Sequence, residues 1–147
     1  MITISAFADE IADDLEEQMD VLEEESIKYL CFRATWGTNV LDLSEDSLRK
    51  AKAMMDGRSF KVSSLGSPVG KVGITDDFAP QLEDFKKMVQ AAKILDTAYI
   101  RIFSFYIPQG EEAAKYRNEV MRRIGEMVEL AEKENFILLH ENEREIY

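Results

Sequence analysis

Five short apolar runs, at residues 2–8, 28–34, 60–66, 98–105 and 136–141, recur along the chain with longer amphipathic stretches between them. The runs are rich in Ile, Val, Phe and Tyr, as strands are, and the stretches between them place apolar residues at helical spacing. The pattern is βαβαβαβαβ. Strands joined through helices run parallel, and crossovers of this kind share one hand, so repetition without a reversal of strand order curls towards closure. The expected fold class is therefore α/β, of the parallel (β/α) barrel type. Periodicity alone leaves an open parallel sheet as the other outcome.

The helices are read from their faces and ends. Leu15, Met19 and Leu22 share one face of the first, with Glu16, Glu17, Asp20, Glu23 and Glu24 left for solvent. The second starts after Ser44 as N-cap, carries acids in its first turn and ends near Gly57. The third begins at Asp77 to Pro80 and sends Leu82, Phe85, Val89 and Ala92 inwards. The fourth, from Glu111 to Glu134, does so with Val120, Ile124, Met127, Val128 and Ala131. The Met54, Met55 pair reads as core filling. A repeat of roughly 26 to 38 residues suits one strand, one helix and two loops.

A complete barrel takes about 250 residues, and this chain has 147. The expectation is a single domain over 1–147 that forms five strands and four helices and is truncated after the fifth strand. A fifth strand left unpaired, with apolar faces, would invite association, so a homo-oligomer is expected. The net charge of −11 and the lack of any Lys/Arg run disfavour nucleic acid as a partner. Cys31 is the single cysteine, which excludes an intrachain disulfide and suits a reducing, cytoplasmic setting. The start MITISAF lacks a basic lead, and no apolar stretch approaches the roughly 18 residues of a membrane helix, so a soluble, unprocessed chain is expected.

In α/β barrels the reacting groups lie at the carboxyl ends of the strands. The residues closing each run here are polar: Asp9 and Glu10; Arg33 through Trp36; Gly66 through Lys71; Arg101 and Ser104; His140 through Glu143. Strand alternation sets Ile137, Leu139 and Glu141 on one face and Leu138 and His140 on the other. Glu141, directed into the mouth, could bind a hard cation or exchange a proton with a substrate carbon; equally, it could pair with Arg33 or Arg101 and do no chemistry. His140 then faces the helix layer as a packed, hydrogen-bonded residue. Arg33, Trp36 and Lys71 are the candidate substrate-binding residues, and Arg101 reads as part of a structural ion-pair network. The segment Gly66 to Lys71 lacks the Walker pattern, so nucleotide binding has no support.

The segments ISAFADEI, FRATWG, KVSSLGSPVGK, YIRIFSFYIP and LLHENEREIY together resemble the sugar phosphate isomerase/epimerase group of the xylose-isomerase-like TIM barrels. That resemblance implies a sugar, sugar phosphate or related polyol as substrate, and proton transfer through an enediolate held by a divalent metal (Mn2+, Mg2+, Co2+ or Zn2+). It places Glu141 as metal ligand and as catalytic acid/base. It also implies Asp, His and Glu ligands from strands six to eight, which this chain does not contain, so the chain alone is expected to bind metal poorly and not to turn over. Ser26 and Asp96 stand where the family often has a turn glycine. The rival readings are a non-catalytic, self-associating barrel fragment and an endonuclease IV-like DNA repair enzyme, the latter opposed by the acidic composition.

Overall fold

A computed structural model describes residues 2–143 and 146–147. Five strands form one sheet: β1 (Ser5–Ala6), β2 (Tyr29–Phe32), β5 (Lys61–Leu65), β6 (Tyr99–Ile102) and β7 (Ile137–His140). All neighbouring pairs are parallel, and the order β1-β2-β5-β6-β7 follows the chain without reversal. That order decides between the two outcomes left open above. An open doubly wound sheet reverses its strand order partway, whereas a barrel does not.

Between the strands lie α1 (Leu15–Glu24), α2 (Glu45–Gly57), α3 (Ala79–Leu95) and α4 (Arg117–Lys133). Asp14 caps α1 by accepting from the Glu16 and Glu17 amides, and Ser44 caps α2 by accepting from Ser47. Leu15, Met19, Leu22, Met55, Phe85, Val89, Ala92, Val120, Met127 and Ala131 are buried, as expected of the inward faces, and Met54 packs beside them. From the sheet they meet Leu30, Phe32, Val62, Leu65, Ile100 and Ile102. Val128 differs: it is exposed, because it lies on a flank of α4 that no described element covers.

Boundaries shift where local geometry intervenes. The first run shrinks to Ser5–Ala6 because Ala8–Glu10 forms a 3-10 turn, and α4 is preceded by a second such turn at Ala113–Tyr116. A short antiparallel hairpin, β3 (Ala34–Thr35) with β4 (Thr38–Asn39), interrupts the β2–α2 connection. Its two central residues, Trp36 (φ 52°) and Gly37 (φ 68°), are both left-handed, as a two-residue hairpin turn requires.

Each helix ends in the same way. Ser26, Ser59, Asp96 and Asn135 all adopt a positive φ near 60°. The amides of Ile27, Phe60, Thr97 and Phe136 then reach back to the carbonyls of Leu22, Met55, Ala92 and Ala131 at 2.8–3.1 Å. This left-handed cap satisfies an orphan carbonyl and turns the chain into the next strand. The positions of Ser26 and Asp96 are thus the turn positions expected of a glycine, held here by residues with a Cβ.

Candidate active site

The face of the sheet turned away from the helices carries small polar residues. Ser5, Cys31, Ser63, Ser64, Arg101 and Leu139 draw on all five parallel strands and line a cavity of about 420 Å³, which Phe7, His140, Glu141 and Asn142 border at the carboxyl ends. Ser5 and Ser63 share a hydrogen bond of 2.6 Å, and the Ser64 hydroxyl donates to Cys31 Sγ at 3.2 Å. Burial pushes the Cys31 thiol above its ordinary value, against the pull of Ser64 and the Arg101 charge. Cys31 is therefore a protonated wall residue rather than a nucleophile.

Arg101 occupies the centre. Its Nε and Nη2 donate to the Ser67 carbonyl at 3.4 and 3.2 Å, and Nη1 donates to Glu141 Oε2 at 3.2 Å. The guanidinium lies 5.3 Å from the Phe7 ring centroid and 4.8 Å from that of Phe103. The Glu141 carboxylate borders the cavity and pairs with Arg101, one of the two arginine partners expected for it. Sequence reasoning had set Arg101 in a structural network; the structure adds that it lines the cavity. The signal lay in the parity of YIRI, which sets Tyr99 and Arg101 on the face opposite Ile100 and Ile102.

Arg33, at the end of β2, pairs with Asp9 at 2.6 Å and with Glu10 at 3.0 Å and lies over Phe7 at 4.8 Å. Burial disfavours the Arg33 charge, but the two carboxylates outweigh it and raise its pKa. Asp9 Oδ1 is buried without a hydrogen-bond partner among the described residues. Lys71, in the loop after β5, pairs with Glu143 at 2.7 Å and lies over Phe103 at 4.4 Å. Trp36 belongs elsewhere: it sits in the β3–β4 turn with Lys50 of α2 4.6 Å from its ring centroid, and it does not line the cavity. His140 hydrogen-bonds Ser104 at 2.9 Å but is exposed, where a packed residue was expected.

The loop after β5 is held in place by backbone pairing. Phe103, Phe105 and Tyr106 donate to Val69, Gly70 and Val72, and Ile74 returns a bond to Tyr106. Gly70 is required there: at φ +93° a Cβ would lie 2.1 Å from the Phe103 carbonyl oxygen.

A divalent cation would find one carboxylate, Glu141, on the cavity wall, and that carboxylate is already paired. No group of three His, Cys, Asp or Glu residues able to hold a metal occurs among the described residues. The residues present do not by themselves build a metal centre, because one carboxylate fixes no coordination geometry. No helix among the described residues is long and apolar enough to cross a membrane.

A parallel sheet in chain order, with helices along one face and polar groups at the carboxyl ends of its strands, defines a partial (β/α) barrel. The chain belongs to the family described as xylose isomerase-like TIM barrel, whose model matches residues 9–146. Among solved structures it is similar to the "probable 3-DHS dehydratase AsbF" from Bacillus anthracis, with a TM-score of 0.73 and 16% identity over 95% of this chain and 52% of that one. It is also similar to an IOLI protein with a binding zinc atom (TM-score 0.69, 15% identity, 95% and 51% covered). An L-ribulose 3-epimerase is a third (TM-score 0.68, 16% identity, 99% and 51% covered). The chain spans about half the length of these structures. No curated protein shows significant similarity.

Proposed function

We propose that this chain contributes one half of a sugar- or polyol-processing site in which Glu141 exchanges a proton with a carbon next to a carbonyl, as an isomerase or epimerase requires. The observation that carries this reading is the placement of Glu141 at the carboxyl end of β7, on a cavity that joins hydroxyls to a fixed guanidinium. Ser5, Ser63, Ser64 and Asn142 supply donors and acceptors for a polyhydroxylated ligand, and Arg101 supplies charge against a developing oxyanion. The similar dehydratase and epimerase structures support the substrate class, and the zinc-bearing one supports metal use among relatives. Further metal ligands and a second carboxylate to return the proton are not among the described residues that line the cavity, and those residues alone are expected not to turn over.

The test is an amide-resolved NMR titration with ketoses and with Mn2+. A ketose that shifts the amides of Leu139 to Asn142 and of Cys31 supports the site; no shift at saturating sugar overturns it. Line broadening by Mn2+ centred on Glu141, and lost in Glu141→Gln, supports the metal as part of the site. Broadening spread over the acidic surface removes it.

A second reading, self-association, is favoured by one observation. Tyr99, Ile137 and Leu139 leave large apolar side chains exposed, and Leu139 is among the residues that line the cavity. We infer a homo-oligomer formed through this face.

A further inference from the structure

Three cations alternate with two aromatic rings in a row that passes through the cavity wall at Phe7 and Arg101, in the order Arg33, Phe7, Arg101, Phe103, Lys71, with centroid distances of 4.8, 5.3, 4.8 and 4.4 Å. Each cation also holds a carboxylate: Asp9 and Glu10 on Arg33, Glu141 on Arg101, Glu143 on Lys71. The partners are not equally fixed. The Arg101 side chain is 10% exposed, tied to the Ser67 carbonyl and set against two rings, whereas Glu141 is 44% exposed and meets it through one contact. If one partner yields, it is the carboxylate.

We propose that this row is an oxyanion receptor which Glu141 and Glu143 fill as internal carboxylates. A carboxylate or phosphate group on an acidic polyol takes the place of Glu141 on Arg101 and releases it, with Lys71 adding positive charge beyond Phe103. The inference rests on the role of Glu141 proposed above, and it narrows the substrate to a polyol that carries an acid. A guanidinium offers five N–H donors, and three of its nitrogens here meet only two protein acceptors, which leaves capacity for a bidentate oxyanion. Binding then does two things, since the ligand is anchored and the proton acceptor is freed only when the ligand is present.

The experiment is isothermal titration of the whole chain, without metal and in a buffer of low anion content. The probes are inorganic phosphate and D-gluconate, with neutral D-glucitol as control. Wild type should bind at least one of the two anions and favour it over glucitol; which anion binds identifies the acid. Glu141→Gln removes the competitor and should tighten binding about 1.5-fold to fivefold, the range that loss of a weak ion pair allows. Arg101→Lys, checked for folding by circular dichroism, should lose about tenfold or more. Lys71→Gln, at a half-exposed side chain, should weaken binding and serves if Arg101→Lys does not fold. Unchanged or weaker binding in Glu141→Gln, no anion binding in either protein, or equal binding of glucitol would each overturn the proposal. Because no metal is added and no turnover is read, this result and that of the ketose titration can fail independently.

Discussion

Arg123 shows how a single charged residue can organise the wall behind the site. It is buried on α4, where its Nε donates to Glu119 at 2.7 Å and its Nη2 donates to the Asp76 carbonyl at 2.8 Å. Its guanidinium lies 5.3 and 5.2 Å from the rings of Phe78 and Phe105, so it joins α4 to the loop that carries Lys71. Hydrogen bonds from Arg122 and Arg123 hold Glu119 down from 4.5 to about 2. A depressed carboxylate stabilises the fold above its unfolded value and loses that contribution as pH falls through its folded value. Urea midpoints should therefore decline between about pH 4.5 and about pH 2, and Glu119→Gln should flatten that stretch of the profile; an unchanged slope in the variant would refute the assignment. Gly70 permits a blunter expectation. Gly70→Ala drives a Cβ to 2.1 Å from the Phe103 carbonyl at φ +93°, and should cost about 3 kcal/mol or more in urea unfolding, as changes at strained backbone sites do.

At the scale of elements, the four left-handed helix ends form a natural series. A non-glycine residue in this conformation costs roughly 1–2 kcal/mol, and part of that is regained because glycine has more freedom in the unfolded chain. Ser26→Gly and Ser59→Gly should each stabilise by about 0.5–1 kcal/mol in urea unfolding. Asn135→Gly should gain less, since asparagine tolerates this conformation. Equal gains at all positions would mean that the caps differ in something other than φ. Of these ends, Ser26 and Asp96 were marked as turn positions by the family resemblance; the Ser44 cap and the inward faces of the first, third and fourth helices, Val128 excepted, were legible from local spacing. The β3–β4 hairpin was not legible. Its turn places Trp36, rather than Asn or Asp, at a left-handed position, so the usual dipeptide signal is missing. The strand ends were legible as a polar set, and Glu141 borders the cavity, whereas Arg33 and Lys71 lie behind Phe7 and Phe103 rather than on its wall. What spacing could not supply was which groups touch: Trp36 turns to Lys50, and Arg101 meets Glu141 and the Ser67 carbonyl.

For the molecule as a whole, the balance lies between apolar surface that favours association and charge that opposes it. Tyr99, Ile137 and Leu139 are 41%, 51% and 40% exposed, and Met121 and Val128 are exposed on α4. In a closed barrel the inward-facing side chains of the strands pack against one another, and here the β7 residues are such a face left uncovered by the described residues. The net charge of −11 repels a second copy. That repulsion is long-ranged and screened by salt, with a Debye length falling from about 10 Å at 0.1 M to about 3 Å at 1 M, while apolar contact is not weakened by screening. Association should therefore strengthen as sodium chloride is raised, as read by multi-angle light scattering. The double variant Ile137→Thr with Leu139→Thr should suppress it, while Met121→Thr on α4 should have the smaller effect if the sheet face is the contact. A monodisperse monomer at every salt concentration would refute association, and suppression by Met121→Thr alone would move the contact to the helical layer.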